Sequence, residues 1–302
     1  MTSRVSPALG QLRFGPEPRV VRDSGTASRI VECRLTSLAL PGAARRALVY
    51  LPASYEREES ARRRYTAVYL LGGMAGRAGD WVRPGGMPAL LDGLVAQRRI
   101  PESIAVMPEV GSRAGLGSIG ANGDECRRRY EDFVAHDLVK WVDQSFRTNA
   151  TPEHRVVAGV GEGAVGAVHL GLRHPDLFGS CVGLSGDYRI SSPRDLQILV
   201  GQRTENGRLR EIHAARDDWS RVVQRLRQLR FVITCGWLDP AIAHAWALRR
   251  VFDEVGVGHT FSTYWGGRDW TRWRAGVAGA LCEILSPAEA LQRHAVEAVT
   301  AP

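Results

Sequence analysis

The run Arg155-Val156-Val157-Ala158-Gly159-Val160-Gly161-Glu162-Gly163-Ala164-Val165-Gly166-Ala167 decides the fold. Its first four residues read as a short buried strand that runs into closely spaced glycines. From about Glu162 to Arg173 the spacing turns helical, and Pro175 stops the helix. A strand turning sharply into a helix is the repeating unit of layered α/β proteins. The segments on either side fit that unit. Residues 30–38 and 46–51, separated by Pro41-Gly42, read as an antiparallel hairpin. Residues 66–71 and 103–107 are further short apolar runs that end at Gly or Pro. Residues 129–146 put Tyr130, Phe133, Val134, Leu138, Trp141 and Val142 on one helical face. Beyond Pro175, residues 179–184, 230–235 and 259–264 read as strands, and 241–255 and 270–285 as helices. Residues 208–230 read as an arginine-rich amphipathic helix offering Ile212, Trp219, Val222, Val223 and Leu226 for apolar contact. The alternation predicts a mostly parallel sheet with helices on both faces. One domain over 26–288 accounts for it, with an N-terminal extension (1–25) and a C-terminal tail (289–302).

With 302 residues, 44% hydrophobic and 24% charged, the chain has the composition of a globular protein, not of a disordered, collagenous or coiled-coil one. No stretch approaches the roughly 20 apolar residues of a membrane span. Residues 1–25 carry charges and prolines without an apolar core, so they do not read as a secretory signal. The expectation is a cytoplasmic protein without a membrane partner. The net charge of +8 raises nucleic acid as a partner. Yet Lys140 is the only lysine among 40 basic residues, a bias that points to genome base composition. The arginines are also dispersed, with Arg62-Arg63-Arg64 and Arg127-Arg128-Arg129 the only triplets. No zinc-finger spacing, basic zipper or aromatic RNA-binding signature accompanies them, so no nucleic-acid partner is expected. Five cysteines (Cys33, Cys126, Cys181, Cys235 and Cys282) lie far apart without a C-x-x-C pair, which fits neither a disulfide framework nor a structural zinc site. Cys181 and Cys235 lie in apolar runs and read as buried thiols. Residues 159–166 lack the Lys-Ser/Thr of a phosphate loop, and no metal-ligand spacing is present; no cofactor is expected.

Three motifs stand in chain order. Leu70-Leu71-Gly72-Gly73-Met74-Ala75-Gly76 follows a strand, and Gly159-Val160-Gly161-Glu162-Gly163 is the sharp turn. Gly236-Trp237-Leu238-Asp239-Pro240 follows a late strand, and Trp265-Gly266-Gly267-Arg268-Asp269-Trp270 the last one. With Tyr130-Glu131-Asp132-Phe133, Phe146-Arg147-Thr148, Leu172-Arg173-His174-Pro175-Asp176-Leu177-Phe178 and Leu184-Ser185-Gly186, the chain resembles an esterase family of the α/β-hydrolases. That family includes esterase D, the enterochelin esterases and the antigen 85 mycolyltransferases. The resemblance covers roughly residues 30 to 285.

It implies an α/β-hydrolase fold and a Ser-Asp/Glu-His triad whose serine sits in a G-x-S-x-G elbow. By that correspondence the nucleophile position is Gly161, which has no hydroxyl. The acid position is Asp239 and is kept, while the histidine position falls on Arg268, whose guanidinium has no acceptor site and cannot shuttle protons. Ser185, His174 and His259 read as structural. The expectation is a non-hydrolytic pseudoenzyme that binds a small acidic ligand or a protein partner. The alternative is a lyase, isomerase, cyclase or acyl-transfer enzyme that works by acid-base chemistry from Glu162, Asp239 or Arg268. Glu162 reads either as a carboxylate favoured by its helix dipole or as a substitute general base. Arg268 and Asp239 read as an ion pair joining two loops, as a fixed cation for a carboxylate or phosphate, or as both. The ligand-lining set is Gly73, Met74, Trp81, Gly161, Trp237, Arg268 and Asp269, with Trp265 beside it. The expected partners are a small-molecule ligand and either a second copy of the chain or an active esterase paralogue.

Overall fold

The computed structural model describes residues 19–21, 28–40, 44–73, 77–109, 129–205, 208–211 and 216–286. Among them β1 (Arg19–Val21), β2 (Arg29–Leu35), β3 (Arg45–Leu51), β4 (Thr66–Leu71), β5 (Ser103–Pro108), β6 (Arg155–Val160) and β7 (Ser180–Leu184) join two later strands in one sheet. A hairpin of β8 (Gln202–Glu205) and β9 (Arg208–Glu211) stands apart, and β10 (Arg230–Gly236) and β11 (His259–Tyr264) complete the sheet. The spatial order is β1-β2-β3-β5-β4-β6-β7-β10-β11. β1, β2, β3 and β5 pair antiparallel in that succession, and all pairs from β5 to β11 are parallel. The sheet thus begins at Arg19, inside the segment expected to be an extension. Every residue of β4 to β7 is buried, which is why these strands appear as unbroken apolar runs. β11 forms the edge, and its burial alternates through Thr263 before the pattern breaks at Tyr264.

Helices α1 (Ala78–Val82) and α2 (Met87–Ala96) pack on one face with the last helix, α8 (Trp270–Leu285). The other face carries α3 (residues 129–145), α4 (Glu162–Arg173), α5 (Pro193–Gly201), α6 (Arg216–Leu226) and α7 (Ile242–Val255). All six apolar residues expected on the inner face of α3 are buried, and a π-helical stretch occupies Phe133–Leu138. Glu131 of α3 is buried between Arg173 and His174 at the end of α4, at 2.9 and 2.8 Å. Burial alone would raise its pKa, but the His174 hydrogen bond and the Arg173 charge bring it below the usual carboxylate value. His174 is therefore part of a clamp between α3 and α4. The helix expected over 208–230 is shorter: residues 208–211 pair with β8 and α6 begins only at Arg216. Arginine and glutamate there satisfy either state, and cross-strand pairing decides.

The chain leaves β4 for β5 on one side and later places β6 on the other, so the winding reverses between β4 and β6. A crevice opens at the carboxyl ends of strands at such a reversal. The turns after β4 and β6 meet there.

Candidate functional site

The turn after β6 is shaped by three glycines with different duties. A Cβ on Gly159 would fall closer than 3.0 Å to the Gly163 carbonyl and Ala164 N. One on Gly163 would fall as close to the carbonyls of Leu71 and Gly72, so α4 and the β4 turn approach backbone to backbone. Between them Gly161 takes φ 57° and ψ −118°, a conformation that strains any residue with a Cβ. Space is not the constraint at Gly161, because the nearest atom to its Cβ position is Gly73 Cα at 4.0 Å. Its N–H donates to the Leu184 carbonyl at 2.9 Å, tying the turn to β7. Ala164 N donates to the Gly161 carbonyl at 3.1 Å, which leaves the Glu162 and Gly163 N–H groups at the amino end of α4 without a carbonyl of the helix itself.

Glu162 follows as the first residue of α4 and is half-buried. Burial pushes its pKa above the ordinary glutamate value, and the nearby Arg268 guanidinium offsets part of that rise. Desolvation therefore outweighs the attraction of the Arg268 charge. Asp239, in the turn after β10, is fully buried. Its Oδ1 accepts from Ala241 N at 2.8 Å and from Arg268 Nε at 3.0 Å. Its Oδ2 is buried with no hydrogen-bond partner among the described residues. The Arg268 side chain is 41% exposed, so it closes over the acid while keeping one edge in solvent. The loops are laced by backbone bonds as well: Trp237 N donates to Tyr264 O at 2.9 Å and Leu238 N to Gly266 O at 3.0 Å.

A second chain of contacts, for which the sequence carries no signal, holds the Arg268 loop. Trp273 Nε1 donates to Ser185 Oγ at 2.9 Å, Ser185 Oγ lies 3.5 Å from Tyr264 Oη, and Tyr264 Oη donates to the Gly267 carbonyl at 3.2 Å. Ser185 is fully buried with φ 61°, a left-handed backbone held by its N–H bond to Thr234 O. It is a structural hydroxyl at the centre of this relay.

The structure brings Gly73, Gly161, Glu162, Asp239 and Arg268 to one crevice. Trp81 is not at its rim. Its side chain is wholly buried, with its ring 5.2 Å from that of Trp270, which in turn lies 5.3 Å from Trp273. The apolar contact of α1 with α8 outweighs the proximity in sequence to the glycine-rich turn. Asp269 caps α8, accepting from Arg272 N at 2.9 Å, so its carboxylate is engaged in the helix start. Met74 lies outside the described residues. Trp237 is half-exposed on the crevice loop, its ring 6.1 Å from Trp246. His259 bonds the Val257 carbonyl and lies near Asp253, away from these loops. Cys181 and Cys235 are buried, and burial pushes the Cys235 thiol up to about 12. Among the described residues no group of three or more His, Cys, Asp or Glu side chains is placed to hold a metal, and no helix is long and apolar enough to cross a membrane.

Residues 39–284 match the protein family described as Putative esterase. The chain belongs to that esterase family. An endo-1,4-beta-xylanase/feruloyl esterase of Xylanibacter ruminicola is 30% identical over 140 residues, 46% of this chain and 19% of the relative. An uncharacterized protein of Corynebacterium glutamicum is 23% identical over 263 residues, 78% of this chain and 55% of the relative. This esterase-family chain thus spans about a fifth and about half of those two proteins. Among solved structures, a ferulic acid esterase superposes with a TM-score of 0.68 at 26% identity, over 85% of this chain and 98% of its own. An S-formylglutathione hydrolase from Staphylococcus aureus gives 0.63 at 16% identity over the same shares, a likeness of fold. The mostly parallel sheet with helices on both faces is the α/β-hydrolase fold.

Proposed function

We propose that this esterase-family protein does not hydrolyse esters and uses the inherited crevice to bind a small acidic ligand. The observation that carries the proposal is the Arg268 Nε contact with buried Asp239 at 3.0 Å, beside a turn whose central residue is Gly161. In the family's chemistry a serine hydroxyl attacks the ester carbonyl and a histidine held by the acid takes its proton. A glycine offers no nucleophile, and a guanidinium held by the same acid is a donor without an acceptor site for the serine proton. The arrangement instead presents a cation, oriented by a buried carboxylate, next to the amino end of α4. Both features favour a carboxylate or phosphate.

Exposure to a fluorophosphonate probe with intact-mass detection, beside a short-chain ester assay, tests this. No adduct and no turnover are expected from the native protein, and both are expected only when Gly161→Ser and Arg268→His are combined. Labelling of the native protein overturns the proposal.

One observation favours a second reading. Glu162 has a pKa raised by burial and faces Arg268, which suits a general acid or base in an enzyme without a nucleophile. Turnover of a small acidic substrate that is lost in Glu162→Gln and Asp239→Asn would establish it. Turnover that survives both would exclude those residues.

A further inference from the structure

The two loops that carry Asp239 and Arg268 also carry three of the six exposed large hydrophobic side chains among the described residues. Trp237, Leu238 and Trp265 are 50%, 63% and 73% exposed. The β10–β11 register ends at Gly236 opposite Tyr264, and the Trp237 N–H continues it onto the Tyr264 carbonyl. Trp237 and Trp265 are therefore the next residues on two adjacent chains, side by side at the carboxyl end of the sheet. Trp237 is backed by Trp246, whose ring lies 4.6 Å from Phe261, and the Arg249 guanidinium covers the Trp246 and Phe261 rings. The aromatic wall is thus closed at its outer end and open at Trp237 and Trp265. Trp265 stands three positions before Arg268, a separation of at most about 10 Å along the chain. On the Arg268 guanidinium, Asp239 engages Nε, which leaves the terminal nitrogens as the edge for an incoming oxyanion.

We infer that the ligand is an acid carrying a single ring with an apolar face, its oxyanion on Arg268 and its ring stacked on Trp237 and Trp265. The inference rests on the anion-binding reading above and narrows it to a class of molecule. The cation fixes one end, and the three-residue separation of Trp265 from Arg268 suits a ligand of one ring and a short link. Aryl rings and the apolar face of a pyranose both stack on indole, so the shared chemistry is the flat apolar face next to the acid.

Titration calorimetry and tryptophan fluorescence with phenyl phosphate, glucose 1-phosphate and inorganic phosphate test this, on the native protein and two variants. Both indoles are solvent-exposed, so Trp237→Ala with Trp265→Ala leaves the core intact. At least one ring-bearing phosphate is expected to bind about tenfold or more tighter than inorganic phosphate, with a change in fluorescence. The double tryptophan variant is expected to lose that advantage while binding inorganic phosphate unchanged. Arg268→Gln is expected to abolish binding of all three. The better of phenyl and glucosyl identifies the kind of ring. Equal affinity for all three phosphates, or an advantage that survives the tryptophan variant, overturns the platform and leaves the anion reading standing. Binding that survives Arg268→Gln overturns the anion reading, and absence of binding by all three overturns both.

Discussion

Replacing Arg268 by Met keeps most of the side-chain volume and strips the charge from the Asp239 contact. Asp239 is fully buried, and its Oδ2 has no partner among the described residues, so the variant leaves a carboxylate that depends on the Ala241 N–H at Oδ1 alone. Removing one partner of a wholly buried pair costs about 3–5 kcal/mol, whereas exposed pairs are worth about 0–1 kcal/mol. Here the acid is buried and the arginine 41% exposed, so solvent screens one side of the contact. A cost of about 2 kcal/mol follows, a fall in Tm of roughly 3–4 °C by the per-residue unfolding entropy of a domain of this size. Asp239→Asn keeps an oxygen for the Ala241 N–H but removes the charge. In that background Arg268→Met is expected to cost under about 0.5 kcal/mol, giving a coupling energy of about 1.5 kcal/mol. Urea unfolding of the four proteins of the cycle, with calorimetric Tm as a check, measures it. An Arg268→Met cost that is the same in both backgrounds refutes the reasoning, because the acid would then not depend on the guanidinium.

The three glycines of the β6–α4 turn should separate by mechanism. Gly159→Ala and Gly163→Ala force backbone apart and are expected to cost about 3 kcal/mol or more. Gly161→Ala meets open space and should cost only the roughly 1–2 kcal/mol of its positive φ. Equal urea midpoints for all three would contradict the close approach of α4 to the β4 turn. Glu162 has a raised pKa in the folded state, so the native protein holds its proton where the unfolded chain has released it. Its penalty is absent below the ordinary value of 4.5 and complete above the raised one. Glu162→Gln should therefore be more stable than the native protein at neutral pH and equal to it in acid, as pH-resolved melting would reveal. Glu131 has the opposite sign: its lowered pKa stabilises above 4.5, and that contribution is lost as pH falls through the folded value. Glu131→Gln should cost about 3–5 kcal/mol at neutral pH, with the difference from the native protein shrinking in acid.

Much of the fold was legible because its signals are local. Strands β4 to β7 are buried on both faces, so each must be an apolar run of strand length, and glycines must stand where the α4 backbone touches the β4 turn. The same locality explains the failures. Residues 208–211 satisfy a helix or a strand equally well, and only the neighbouring strand chooses. Trp81 follows the glycine-rich turn closely in sequence, yet the fold delivers Trp270 from nearly two hundred positions away to bury it. The Ser185, Tyr264 and Trp273 relay joins three distant segments, none of which carries a motif for it.

By itself the sequence determined the α/β layering, the esterase-family scaffold and the chemical identities available at its crevice: a glycine, a glutamate, an aspartate and an arginine. Those are properties of residue type and short spacing. Only the tertiary structure decided that Arg268 rests on Asp239, that burial lifts the Glu162 pKa, and that Trp81 is core while Trp237 and Trp265 face solvent. Each of these is set by which distant segments exclude water from a side chain. Solvent exclusion is a property of the assembled chain and not of any stretch within it.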